Sequence, residues 1–250
     1  VLNVISSRKA LSPLAIGLIV LGVATVLVAG VVVFYFWSGA GNVITETKQF
    51  SDFNKLDISS GFEVTITQSS TYRVVITANE KALDLIQVTQ SDNTLTIQIQ
   101  PGAAFSASTL KAEIAMPVLD GVMFSGGIRA TASGFNTTED FRADLTGGSS
   151  FDITDFTAKN LNVELSGGST LTAQGTGNNL VAIGSGGSNL DLSNLQINDA
   201  HIDLSGASHA IVNLDGTLNV TASGASSVEY MGSPTLGNID TSGGSTVSKR

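Results

Sequence analysis

The chain opens on an unbroken apolar run and then passes to strict alternation of apolar and polar residues. Residues 14–37, LAIGLIVLGVATVLVAGVVVFYFW, form a run of 24 without a charged side chain. At about 1.5 Å per residue a helix of that length reaches roughly 36 Å, enough to cross a bilayer with some tilt. The pattern therefore predicts one long N-terminal apolar α-helix within residues 1–37, acting as a membrane anchor or as the core of a filament. A link at 38–42 follows.

Alternation begins directly afterwards, in Phe62-Glu63-Val64-Thr65-Ile66-Thr67 and Tyr72-Arg73-Val74-Val75-Ile76-Thr77. A period of two places every second side chain on one buried face, so these are strands. Ile86–Val88 and Leu95–Ile99 are two more, with Asp92-Asn93 turning the chain between them. Asn79–Leu85 is the one segment here that suits a short helix. Residues 43–120 thus form a β-rich first part of a head.

From residue 121 to 250 a repeat takes over. Its marker is a tetrapeptide of small residues that starts at Ser125, Thr146, Ser166, Ser185, Ser205, Ser223 and Ser242, with spacings of 21, 20, 19, 20, 18 and 19 residues. Val163, Ile202, Val220 and Ile239 recur before the marker, and Phe151, Leu171, Leu190 and Val228 after it. A period near 20 with apolar columns means stacked coils about 4.8 Å apart, each burying its inward side chains against the next. Glycine suits the corners, where positive φ or close backbone approach is needed. A flexible Ser-Gly linker would show no such spacing. The fold class is mainly β: a parallel β-helix, or solenoid, of about 20-residue coils preceded by the apolar helix.

Charge and cysteine content narrow the partners. Every one of the 21 acidic residues lies after residue 42; with Arg8 and Lys9 set aside, 10 basic residues face them, a net charge of −11. Nucleic acid and anionic lipid headgroups need a basic patch, which this composition does not offer. Arg8 and Lys9 stand just before the apolar run, so the positive-inside bias puts the N-terminus in the cytoplasm and the head outside. With no cysteine in the chain, the head is held by packing and backbone hydrogen bonds alone.

Phe53-Asn54-Lys55-Leu56-Asp57-Ile58-Ser59-Ser60-Gly61-Phe62-Glu63-Val64-Thr65-Ile66-Thr67-Gln68, together with the Ser-Gly-Gly coils, resembles the head GIN domain family of adhesins over about residues 45–248. That resemblance implies a β-solenoid at the cell surface and carries no catalytic site. Arg8-Lys9-Ala10-Leu11-Ser12-Pro13-Leu14, leading into an apolar run that ends Phe34-Tyr35-Phe36-Trp37, is similar to the N-terminus of archaeal type IV pilins. In that family the helix packs in a filament core and the head faces outward. Ala15, Gly22 and Ala29 recur every seven residues, and Thr25 with Ala29 makes a small-xxx-small pair, so a close helix seam joining copies of the chain is expected there.

Candidate chemistry is sparse. His201 and His209 are the only histidines, no Gly-x-Ser-x-Gly elbow is present, and His201 with Asp203 reads as two solvated neighbours on one strand. Asp144, Glu164, Asp203 and Asp240 recur at one outward position, a column that would attract calcium weakly. Ile183 and Thr221 interrupt it, so a solvated acidic face is the expectation and no metal or other cofactor is assigned. Asn136-Thr137-Thr138 and Asn219-Val220-Thr221 are glycan acceptor triplets on the exported side. The expected protein is not an enzyme but a structural cell-surface protein. Its first reading is a pilin-like filament subunit, membrane-associated before assembly and homo-oligomeric through its helix. The alternative is a membrane-anchored monomeric adhesin.

Overall fold

The computed structural model describes residues 42–103 and 109–250, together with the backbone of 24–28 and 31–36. Its building unit is a pair of strands meeting at a small-residue corner. β16 (Asp199–Leu204) and β17 (His209–Leu214) show the logic: Ala200, Ile202 and Leu204 are buried before the corner and Ala210, Val212 and Leu214 after it, with His201, Asp203, Asn213 and the half-buried Ile211 between them. The first corner residue after the serine, Gly206, has φ of +75°. The last, Ser208, is buried, and its Oγ donates to the Ser205 carbonyl at 2.9 Å. Ser149, Ser169, Ser188 and Ser226 make the same three-residue bond at 2.8–2.9 Å. A buried hydroxyl costs free energy unless it is bonded, so this serine is both small enough for the corner and satisfied within it.

The units stack into two parallel faces of nine strands each among the described residues. The first face runs β8 (Thr94–Ile99), β4 (Lys55–Ser59), β10 (Gly121–Ser125), β12 (Phe141–Leu145), the second halves of β13 (Ser150–Leu165) and β14 (Thr170–Gly184), β16, β18 (Thr217–Ala222) and β20 (Thr235–Thr241). The second runs β9 (Leu110–Met116), β5 (Glu63–Gln68), β11 (Arg129–Ser133), the first halves of β13 and β14, β15 (Asn189–Ile197), β17, β19 (Ser227–Gly232) and β21 (Thr246–Lys249). The register confirms the expected columns. Phe151 lies on Leu171, Leu171 on Leu190, Leu190 on Ala210 and Ala210 on Val228, all buried.

Stack order and chain order differ at the N-terminal end. The coil of β4 and β5 sits between that of β8 and β9 and that of β10 and β11, because the chain leaves the stack after β5, adds a coil beneath, and returns above. Below the first coil the pairing becomes antiparallel: β6 (Arg73–Asn79) lies on β9, β3 (Val43–Lys48) on β6, and β7 (Ile86–Ser91) on β8. The expected short helix is present as α1 (Glu80–Leu83). Antiparallel strands close this end with short connections that parallel pairing cannot use.

The long N-terminal helix is the expectation that the structure corrects. Ala24–Val28 (β1) and Val31–Phe36 (β2) are strands, antiparallel to each other, and β2 pairs antiparallel with β3. Valine and aromatic residues dominate ATVLV and VVVFYF and favour extended backbone. The free edge of β3 supplies the hydrogen-bonding template. Among the described residues no helix is long and apolar enough to cross a membrane. Ala15, Gly22, Ala29, the Arg8–Leu14 segment and most of the link at 38–42 lie outside the described residues.

Candidate functional site

The outward side chains of the first face form the column expected from the sequence, in the order Asp57, Met123, Asp144, Glu164, Ile183, Asp203, Thr221 and Asp240. The acidic members are interrupted by apolar ones. Met123 and Ile183 are 40% and 47% exposed, so each places apolar surface between charges. Among the described residues no group of three or more histidine or acidic side chains is gathered closely enough to hold a metal ion.

His201 and Asp203 are both exposed on β16, on the first face. His209 belongs to the second face, where its Nδ1 lies 2.6 Å from Ser227 Oγ. The two histidines therefore do not meet. Asn136 is exposed beside its bridge partner Thr157. Asn219 is half-buried, and its Oδ1 accepts from the Asn238 amide at 2.9 Å. Only the first acceptor triplet presents an uncommitted asparagine.

A groove of about 590 Å³ opens over the early coils of the first face, and of the candidate site residues read from the sequence only Asp144 lines it. Two lining residues, Asn93 and Asp120, are bridged from behind by Asn54, and each of the three immediately precedes a strand. Asn93 Nδ2 donates to Asn54 Oδ1 at 2.6 Å, and Asn54 Nδ2 donates to Asp120 Oδ2. Backbone bonds from Asn54 N to Asn93 O (2.9 Å) and from Asp120 N to Asn54 O (2.8 Å) hold the same three in register. The polar ladder ends at Asp120, because the next coil presents Phe141, which is buried against Phe151 and Phe156. Burial next to this aromatic cluster raises the Asp120 carboxyl above its ordinary range, Lys55 opposes that rise, and Glu139 adds to it.

Arg142 forms the opposite side. Its Nε donates to Asp144 Oδ2 at 2.8 Å and its Nη2 donates to Glu164 Oε2 at 3.3 Å, so the guanidinium is committed to two carboxylates. Met123 also lines the groove, as do Lys55 and Lys159, both of them exposed. Two features distinguish this surface. Asp120 Oδ1 and Asp144 Oδ1 are enclosed without a hydrogen-bond donor, and among the described residues they are the only buried side-chain polar atoms so placed. Both belong to residues lining the one groove.

Comparison with known proteins agrees with the solenoid fold. Residues 52–234 match the family described as "Putative auto-transporter adhesin, head GIN domain". Among solved structures, a "putative adhesin" from Bacteroides fragilis is 26% identical, with a TM-score of 0.79 over 83% of this chain and 97% of that one. A "putative lipid binding protein" from Parabacteroides distasonis (15% identity, TM-score 0.68) and a "putative adhesin" from Parabacteroides merdae (17%, 0.65) share the fold over 85% of this chain and 98% of theirs. A comparison with curated proteins returns no match. With more than half of its length accounted for by one family, and with the stacked Ser-Gly-Gly coils that its register displays, the chain belongs to the head GIN domain family of adhesins.

Proposed function

We propose that this protein works by adhesion and not by catalysis, holding a target against the first face of its solenoid at the cell surface. The observation that supports this most is the groove over Met123, a mixed polar and apolar recess on an otherwise regular wall of strands. Nine parallel rungs give that wall a rigid backbone, so side chains around the recess are held in place before a partner arrives. Preorganisation of this kind lowers the entropic cost of binding. The histidines stand on opposite faces; His209 is bonded to the Ser227 hydroxyl, and among the described residues no acidic side chain is bonded to that histidine to complete a relay. The filament reading rested on a helix across 14–37; with β1 and β2 in part of that run, the adhesive head is the reading that keeps its support.

The test is retention of beads coated with the full chain on immobilised polysaccharide, mucin and collagen. At least one surface should hold the beads several-fold better than albumin-coated controls. Met123→Asp should abolish that retention with the far-UV circular dichroism unchanged. Beads no stickier than albumin on every surface would remove the adhesive reading.

A further inference from the structure

We propose that the groove over Met123 binds a neutral saccharide of about two or three sugar units, an inference that rests on the adhesive reading and names its ligand. The starting point is the pair of enclosed carboxylate oxygens, Oδ1 of Asp120 and Oδ1 of Asp144. An enclosed acceptor without a donor is costly, and native structures leave few of them. Both residues line the same recess, which locates the unmet demand in one place.

What surrounds these oxygens decides the chemistry. Lys55 and Lys159 bring ammonium donors to the groove, and neither side chain makes a hydrogen bond to another described residue. Arg142 is occupied by Asp144 and Glu164. A ligand must therefore offer donors to carboxylates, those of Glu139 and Asp140 included, and acceptors to ammonium groups in the same recess. A sulfate or phosphate offers acceptors alone and would be repelled by the two aspartates. An amine offers donors alone and would leave the ammonium groups of Lys55 and Lys159 without acceptors. A hydroxyl does both at a single atom, and a saccharide carries several hydroxyls at fixed spacing. Meeting such a ligand requires each aspartate to turn its enclosed Oδ1 outward about the bond that its Oδ2 accepts from Asn54 or Arg142.

Two further properties agree. Met123, 40% exposed in the lining, gives the C–H face of a sugar ring an adaptable apolar contact. The chain's formal net charge of −9 disfavours polyanionic glycans at a distance. A recess of about 590 Å³ falls within the range of small-molecule sites and suits an oligosaccharide end rather than a single ring.

The experiment is calorimetric titration of the full chain with trisaccharides of glucose, galactose, mannose and N-acetylglucosamine, with their sulfated and amine-bearing counterparts, and with calcium chloride alone. At least one neutral trisaccharide should bind, and its charged counterparts should bind at least tenfold more weakly. Lys159→Ala and Asp144→Asn should each weaken that binding about five- to tenfold. Asp203→Ser, on the same face three coils away, should leave it unchanged. Tighter binding of a sulfated or amine-bearing sugar would overturn the inference, as would calcium binding that Asp144→Asn abolishes. If no trisaccharide binds while coated beads still adhere through Met123, the saccharide is wrong and the adhesive reading survives; if the beads also fail, both fall.

Discussion

The backbone amide of Ala207 donates to the carbonyl of Gly186 at 2.8 Å, joining the corner of one coil directly to the corner of the coil beneath. Ala225 repeats the bond to Gly206 at 2.7 Å. This contact requires the first corner residue to have no side chain: a Cβ on Gly206 would stand 2.6 Å from Gly186 O, at φ of +75°. The second corner position has a positive φ at Gly127, Gly148 and Gly168 but differs in the later coils. Ala207 and Ala225 already occupy it, and Gly187 there has neither a positive φ nor any atom within 4 Å of an added Cβ. Gly206→Ala should therefore cost at least about 1–3 kcal/mol through backbone strain. Gly187→Ala should be neutral or add up to about 1 kcal/mol by restricting the unfolded chain. Chemical denaturation of the two variants separates these outcomes, and equal destabilisation would contradict the assignment of corner positions.

Inward and outward positions should differ even more strongly. Leu171 is buried between Phe151 and Leu190, whereas Asp203 is exposed on β16. Leu171→Asp places an unpaired carboxylate in an apolar stack and should cost several kcal/mol, enough to unfold much of the chain at room temperature. Asp203→Ser should shift stability by no more than about 0.5 kcal/mol. Thermal melts showing comparable losses would mean that the two side chains do not face opposite ways.

The repeat made this part of the fold legible. Each Ser-Gly-Gly corner reappears after one coil, so aligning the corners also aligns Phe151 with Leu171 and Leu190 without any knowledge of the structure. The groove could not be read in that way. Its wall joins Asn54 to Asn93 and to Asp120, 39 and 66 residues away, because the chain inserts a coil below the first one before resuming upward. No local period reports such a detour. The available signal was slight: all three are Asn or Asp placed just before a strand. The N-terminal misreading has a different origin. A run of 24 uncharged residues satisfies the length of a spanning helix, but Val31–Phe36 consists entirely of valine and aromatic residues, and this local preference is met by pairing with Val43–Lys48.

Asp120 supplies a pH-dependent prediction. Burial raises its carboxyl above the ordinary value, Lys55 counteracts this and Glu139 reinforces it; burial also raises Asp57. A carboxyl with a folded-state value above its unfolded one holds its proton more firmly in the native protein. Stability then falls as pH rises between the two values, and it is regained as acid protonates the native group. Above the window the ionised carboxylate carries its full desolvation cost; below it the cost is gone. Asp120→Asn removes this titration while keeping an oxygen to accept from Asn54. Its new amide also occupies an enclosed position, a cost independent of pH, so the informative quantity is the slope and not the absolute stability. Between pH 7 and pH 4 the melting temperature of the unmodified chain should rise relative to that of Asp120→Asn. Parallel curves for the two proteins across that range would show that Asp120 titrates alike in the folded and unfolded chain, and the enclosed oxygen would then have to be reached by a donor from water.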